Sequence, residues 1–222
     1  MRAFLALTLP DDIRRSLAVL QQELAHSGAD IKWVEPQNLH VTLKFLGEVT
    51  DEQRRAVERL LGEAARGETA FTPYHGGRPA RQGGEEWRGR PEGSFQRPRP
   101  LGRGTGFTLG LDRVGAFPSI ASPRVVWVGL GEGKERAVRI AERIEESCGS
   151  LGLPKEDRSF AAHVTLGRVR TPRRQAELAR ALRECAWRAP APWPVTALTL
   201  YQSVLSSRGP NYTVLAEVPL TR

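Results

Sequence analysis

Two of the four histidines of this 222-residue chain stand at the same place in a repeated tetrapeptide. His40-Val41-Thr42-Leu43 and His163-Val164-Thr165-Leu166 are the two copies, and both lie in apolar, β-branched surroundings that predict strands. Alternate side chains of a strand share a face, so His40 goes with Thr42 and His163 with Thr165. Val41, Leu43, Val164 and Leu166 point the other way. Each copy thus presents an imidazole and a hydroxyl on an apolar backing. Side by side across a cleft, the two strands would aim two imidazoles and two hydroxyls at one centre. Such a centre suits a phosphate: the hydroxyls donate to its oxygens, and imidazoles with ordinary pKa near ~6.5 divide acid and base work at neutral pH. No metal is needed. A single His-x-Thr in a strand is more often a structural feature, and the repetition is what turns the balance towards function.

The paired motifs resemble the two-histidine phosphoesterase superfamily, marked by a His-x-Thr/Ser-hydrophobic motif in each half of the chain. The longer run Trp33-Val34-Glu35-Pro36-Gln37-Asn38-Leu39-His40-Val41-Thr42-Leu43-Lys44-Phe45-Leu46-Gly47 is similar to the bacterial and archaeal RNA 2′,3′-cyclic phosphodiesterases, also called 2′-5′ RNA ligases. The order of elements along the chain suggests an α+β fold of two similar lobes around a central cleft, and the resemblance implies the same architecture, each lobe a mostly antiparallel sheet backed by helices. It implies His163 as base and His40 as acid, Thr42, Thr165 and Arg168 at the phosphate, and Phe45 near the nucleotide. It also implies RNA with 2′,3′-cyclic phosphate ends as partner, tRNA fragments among them, and 2′-5′ ligation as the reverse reaction. Strand parity disagrees at two positions. Arg168 and Phe45 each follow their motif histidine by five residues, which in a regular strand turns them to the opposite face, and only a bulge or twist at the strand end reconciles the two expectations. Lys44 has the parity to face the cleft. Trp33 and Tyr201 match aromatic positions common in the family, with core packing as their expected role. Two other functions compete: a phosphodiesterase for another small cyclic nucleotide phosphate, and a non-catalytic RNA-binding protein that keeps the cleft as an anion site.

Composition is consistent with a soluble globular protein, with 40% hydrophobic and 26% charged residues. A formal charge of +8 favours a polyanionic partner, although an arginine-rich proteome would give the same value. Lys32, Lys44, Lys134 and Lys155 are the only lysines. Cys148 and Cys185 fall on helical patterns without ligand-spaced neighbours, so they read as buried thiols of a reducing compartment. No third ligand stands at useful spacing for zinc, and no cofactor is expected. The apolar N-terminus is too short for a signal peptide and no segment approaches a membrane span. A cytoplasmic monomer is expected.

These residues must be positioned by a regular chain. Residues 2–9 alternate as a strand; Pro10 and Asp11 open a helix with Ile13, Leu17, Leu20 and Leu24 on one face, stopped by Gly28. Residues 31–34 form a short strand, 35–38 a turn and 39–49 the first motif strand. Thr50 with Gln53 makes a capping box for a helix carrying Val57, Leu60, Leu61 and Ala64. In the second half, 107–111 and 125–130 read as strands around a turn at Gly115-Ala116-Phe117-Pro118-Ser119. A helix over 133–148 leads to the second motif strand, 159–169. Thr171-Pro172 has the form of a helix N-cap and N1 before Leu178, Ala181, Leu182 and Cys185. Residues 195–204 and 212–218 close the chain as a hairpin.

Residues 73–106 break the pattern. They are dense in Gly, Pro and Arg and lack an apolar period, so they cannot offset their ordering entropy by burial and are expected to be a disordered insertion in a single bilobal domain spanning 1–222. Trp87 and Phe95 would let it act as an RNA-binding arm, but a tolerated surface insertion is preferred, with His75 a bystander.

Overall fold

The computed structural model describes residues 1–65, 107–156, 159–206 and 209–220. Residues 73–106, expected to be an insertion, lie outside the described residues with His75, Trp87 and Phe95.

The chain runs β1 (Arg2–Thr8), α1 (Asp11–Ala25), β2 (Ile31–Trp33), a 3₁₀ turn (Pro36–Asn38), β3 (His40–Glu48) and α2 (Asp51–Ala65) in its first half. The second half is β4 (Phe107–Leu109), β5 (Leu111–Ser119), β6 (Ser122–Leu130), α3 (Lys134–Ser150), β7 (His163–Val169), α4 (Gln175–Glu184), β8 (Trp193–Val195), β9 (Ala197–Ser206) and β10 (Gly209–Pro219). The class is α+β. The large antiparallel sheet has the order β10-β9-β1-β3-β7-β6-β5, with β2 also on β7, while β4 and β8 pair separately. Both motif strands are central. They are joined through one pair, Val41 opposite Val164, so the sheet divides there into a β10-β9-β1-β3 lobe and a β7-β6-β5 lobe that carries β2.

Burial explains why this seam holds. Val41, Val164, Leu166 and Val128 are fully buried and belong to one continuous apolar core with Ile13, Leu17 and Leu20 of α1 and Ala137, Ala141 and Ile144 of α3. The valine, leucine and isoleucine side chains among these stabilise by about 1.5–3 kcal/mol each when fully removed from water. The expected capping box is present: Thr50 N–H donates to Gln53 Oε1 at 3.0 Å, and Gln53 N–H to Thr50 Oγ1 at 3.1 Å.

Three expectations need correction. The residues Gly115 to Ser119 are not a turn but the second half of β5, paired antiparallel with β6 from Gly115 opposite Trp127 to Ser119 opposite Ser122. Their glycine has a packing use: an added Cβ on Gly115 would lie 2.3 Å from the Trp127 ring, so glycine lets the indole lie flat on the backbone. The helix expected at Thr171-Pro172 starts at Gln175. A turn intervenes, with Gln175 N–H bonded to Pro172 O, and Arg174 takes the left-handed conformation at the N-cap, its side chain against Gly28 where there is no Cβ. The second motif strand begins at His163 rather than 159. Cys148 is buried, and burial pushes its thiol up to about 11, whereas Cys185 ends α4 only partly buried.

Candidate active site

The valine pair at the seam is on the core face, so the flanking residues of both strands emerge on the other face. Opposed strands carry facing residues on one side; continuing the register by one step sets His40 beside Thr165 and Thr42 beside His163. All four are partly exposed. The two motifs therefore meet back to back about a local twofold, each histidine next to the other copy's threonine.

Each imidazole is fixed in the same way. His40 Nδ1 is 2.7 Å from Asn38 O, and His163 Nδ1 is 2.6 Å from Ala161 O. A carbonyl can only accept, so Nδ1 carries the hydrogen in both rings and Nε2 is left for chemistry. Thr165 Oγ1 lies 3.2 Å from His163 Nε2 and donates to it when the ring is neutral. Asn38 is tied in turn to the β9–β10 hairpin, its Nδ2 donating to Pro210 O at 3.1 Å.

Burial sets the proton affinity. It is the largest cause that lowers His40 below its ordinary 6.5; the carbonyl of Asn38 opposes it, and the charges of His163 and Arg14 add to it. His163 is lowered too, first by burial and then by Arg168, against the pull of Ala161 O. Both rings are therefore predominantly neutral at pH 7 in the free protein.

The parity conflict is resolved by two bulges at equivalent positions. Along β3, Thr42 pairs with Ala6 and Lys44 with Leu5, which leaves Leu43 as the extra residue. Along β7, Thr165 pairs with Trp127 and Gly167 with Val126, which leaves Leu166 extra. An extra residue shifts the alternation by one. Phe45 is consequently on the His40 face, 56% exposed and with its ring 6.0 Å from that of Phe4. Arg168 is on the His163 face, exposed, and near enough to act on both His163 and Tyr212. Lys44 moves oppositely. Instead of facing the cleft it is 2% exposed on the helix side, its Nζ 2.6 Å from Glu145 Oε2 of α3 and 2.8 Å from Pro154 O. The second bulge is also anchored from the helix layer: the buried Gln21 of α1 donates to both Leu166 O and Val34 O at 2.8 Å.

Aromatic rings line the site beyond the expected ones. Phe4 is buried 4.8 Å beneath His40 and stacks on Tyr201 at 5.2 Å, and Tyr212 stands edge-on to His40 at 5.4 Å. On the other side, Phe117 is edge-on to His163 at 5.2 Å and Trp127 is 6.2 Å away. Tyr201 thus belongs to the site wall, against the expected core role, while Trp33 does pack against the core. Among the described residues, no three His, Cys, Asp or Glu side chains come together as metal ligands.

A family model described as LigT-like phosphoesterase matches residues 7–73 and 128–212, which include both motifs. The chain belongs to that family. Among its phosphoesterase relatives, the RNA 2′,3′-cyclic phosphodiesterase of Archaeoglobus fulgidus is 32% identical over 212 residues, covering 96% of each chain. A crystal structure from Thermus thermophilus aligns over 99% of this chain and 98% of its own, with 26% identity and a TM-score of 0.68. Escherichia coli LigT complexed with 3′-AMP aligns over 100% and 98%, with 26% identity and a TM-score of 0.66.

Within this phosphoesterase, Phe4, Phe117, Trp127 and Tyr212 could not be picked out from sequence, because they stand on other strands, two of them at the sheet's edges, and share no motif with the histidines. Phe117 was hidden by the turn-like Gly115 and Pro118 around it. Gly167 was an available sign of the bulge in β7, since glycine inside a strand pattern often marks one.

Proposed function

We propose that this protein is an RNA 2′,3′-cyclic phosphodiesterase that opens the terminal cyclic phosphate to a phosphomonoester without a metal, by acid–base catalysis from His40 and His163. The observation that carries the proposal is the pair of imidazoles on adjacent strands held by the same Nδ1 contact, each keeping Nε2 for proton transfer, with Thr165 Oγ1 3.2 Å from that of His163. The relatives' name agrees with this chemistry, and a ribose phosphomonoester, 3′-AMP, binds the E. coli neighbour.

In the reaction, His163 Nε2 takes a proton from water as the water oxygen bonds to phosphorus. The bond from phosphorus to one ribose oxygen breaks, and protonated His40 gives that oxygen its proton through Nε2. Thr42, Thr165 and Arg168 stabilise the charged phosphate oxygens, and Phe45 offers a face to the nucleobase. Both rings start with lowered proton affinity, so the negative charge of the bound phosphate is what draws the working proton onto His40. Run backwards, with a 5′-hydroxyl in place of water, the same pair joins RNA ends. We further propose that the enzyme acts as a cytoplasmic monomer in one bilobal domain. A short RNA ending in a 2′,3′-cyclic phosphate, assayed beside linear diesters and cyclic nucleotides of other ring size, tests the reading: the RNA end is opened and the others are not. Selective turnover of another cyclic nucleotide would redirect the substrate, and RNA affinity without turnover of any substrate would make it a binding protein.

A further inference from the structure

β2 adds a second cation to the site face. In the pairing of β2 with β7, Lys32 stands directly opposite Arg168, while its neighbours Ile31 and Trp33 turn to the core side, where an added Cβ on Gly167 would lie 2.7 Å from Ile31 Cγ2 and 2.9 Å from Trp33 Cε3. Lys32 therefore shares the face of Arg168, which the Leu166 bulge has brought round to His163. Its amine reaches towards the tip of the β9–β10 hairpin, 3.6 Å from where a Cβ on Gly209 would lie. Both side chains are exposed, and neither forms an ion pair among the described residues.

Like charges directly opposite on paired strands repel and cost stability. A carboxylate would be the ordinary remedy, and among the described residues none pairs with either cation. An anion between the two side chains would remove the repulsion, and the proposed substrate has one of the right kind next to its reacting phosphate: the phosphodiester that links the terminal nucleotide to the rest of the RNA. A cyclic mononucleoside phosphate lacks that group. Lysine suits this role, since its point charge attracts a backbone phosphate whatever the sequence.

Resting on the proposed RNA-end activity, we infer that Lys32 together with Arg168 forms a second anion subsite, one phosphate upstream of the reacting one, which makes the enzyme prefer oligonucleotide ends to cyclic mononucleosides. Arg168 serves both phosphates; Lys32 serves the upstream one.

The test compares kcat/KM for a dinucleotide ending in a 2′,3′-cyclic phosphate with that for the matching nucleoside 2′,3′-cyclic phosphate, in the wild-type, Lys32→Ala and Lys32→Arg proteins. The expected result is a fall of about tenfold in the preference for the dinucleotide in Lys32→Ala, the order of one charge-assisted contact, carried mainly by KM and restored by Lys32→Arg. The salt dependence of the dinucleotide reaction should become shallower, since one fewer exposed cation meets the substrate's phosphates, and the thermal midpoint should hold or rise as the repulsion is relieved. A preference unchanged in Lys32→Ala overturns the inference while leaving the activity assigned. So does a loss shared equally by both substrates with a lowered midpoint, which would make Lys32 a scaffold residue. A wild-type protein that opens neither substrate overturns the RNA-end activity itself and the inference with it.

Discussion

In the proposed mechanism each histidine of the pair has a distinct chemical role, so neither covers for the other. Replacing His40 or His163 by alanine is expected to lower kcat by about 10²–10⁴, measured as opening of a cyclic phosphate end, with the fold kept because both rings are partly exposed. Burial lowers both imidazoles from 6.5, and this sets the pH behaviour. The acid limb of kcat/KM, where the base becomes protonated, should fall below pH 6.5, and the alkaline limb, where the acid loses its proton, should also be displaced downwards. The profile is a bell belonging to the coupled pair, centred on the acid side of neutrality; a flat profile between pH 5 and 8 contradicts it. Stability follows the same sign. A histidine whose folded pKa is lowered binds fewer protons folded than unfolded, so its contribution is fully present above pH 6.5 and is lost as pH falls through the folded value. Denaturant midpoints should drop across that window in the wild type and less so in the alanine variants.

At the scale of elements, the bulges decide what the motifs can reach. The alternation of His-Val-Thr-Leu was legible because it depends on one strand's own residues. The facing of the residues after Leu43 and Leu166 was not, because a bulge is defined by the count of residues on the partner strand. Hence parity alone put Phe45 and Arg168 on the wrong face and Lys44 in the cleft, and the family resemblance was the better guide for the first two. The buried Lys44 instead serves the scaffold. With Glu145 it clamps the first bulge to α3, and Glu145 also accepts from Glu156 N–H at 3.0 Å. Removing the acid strands a buried ammonium, so Glu145→Ala should cost about 3 kcal/mol in chemical denaturation, while Lys44→Met combined with Glu145→Gln should recover most of it. Gly167→Ala should cost about 1–3 kcal/mol, since its Cβ would meet Ile31 and Trp33 below contact distance. By moving β2 and β7 apart it should also weaken substrate binding.

For the whole molecule, two lobes joined by one backbone pair nevertheless share a continuous core. A single cooperative unfolding transition, coincident by fluorescence and circular dichroism, is therefore expected, and two separated transitions would argue for independent lobes. The α+β class and the order of most elements were legible from apolar periodicity and caps such as Thr50 with Gln53. The sheet's order was not, because it depends on pairings between strands distant in sequence, β1 with β9 among them. Residues 73–106 are expected from composition to be dispensable, so a chain lacking them should keep its kcat on a short RNA end. The most direct test of the central claim is opening of an RNA 2′,3′-cyclic phosphate end in excess chelator by the wild-type, His40→Ala and His163→Ala proteins. Undiminished wild-type turnover that both substitutions nearly abolish is the expected result. Turnover that chelator removes, or that survives the loss of either histidine, would contradict paired-histidine catalysis.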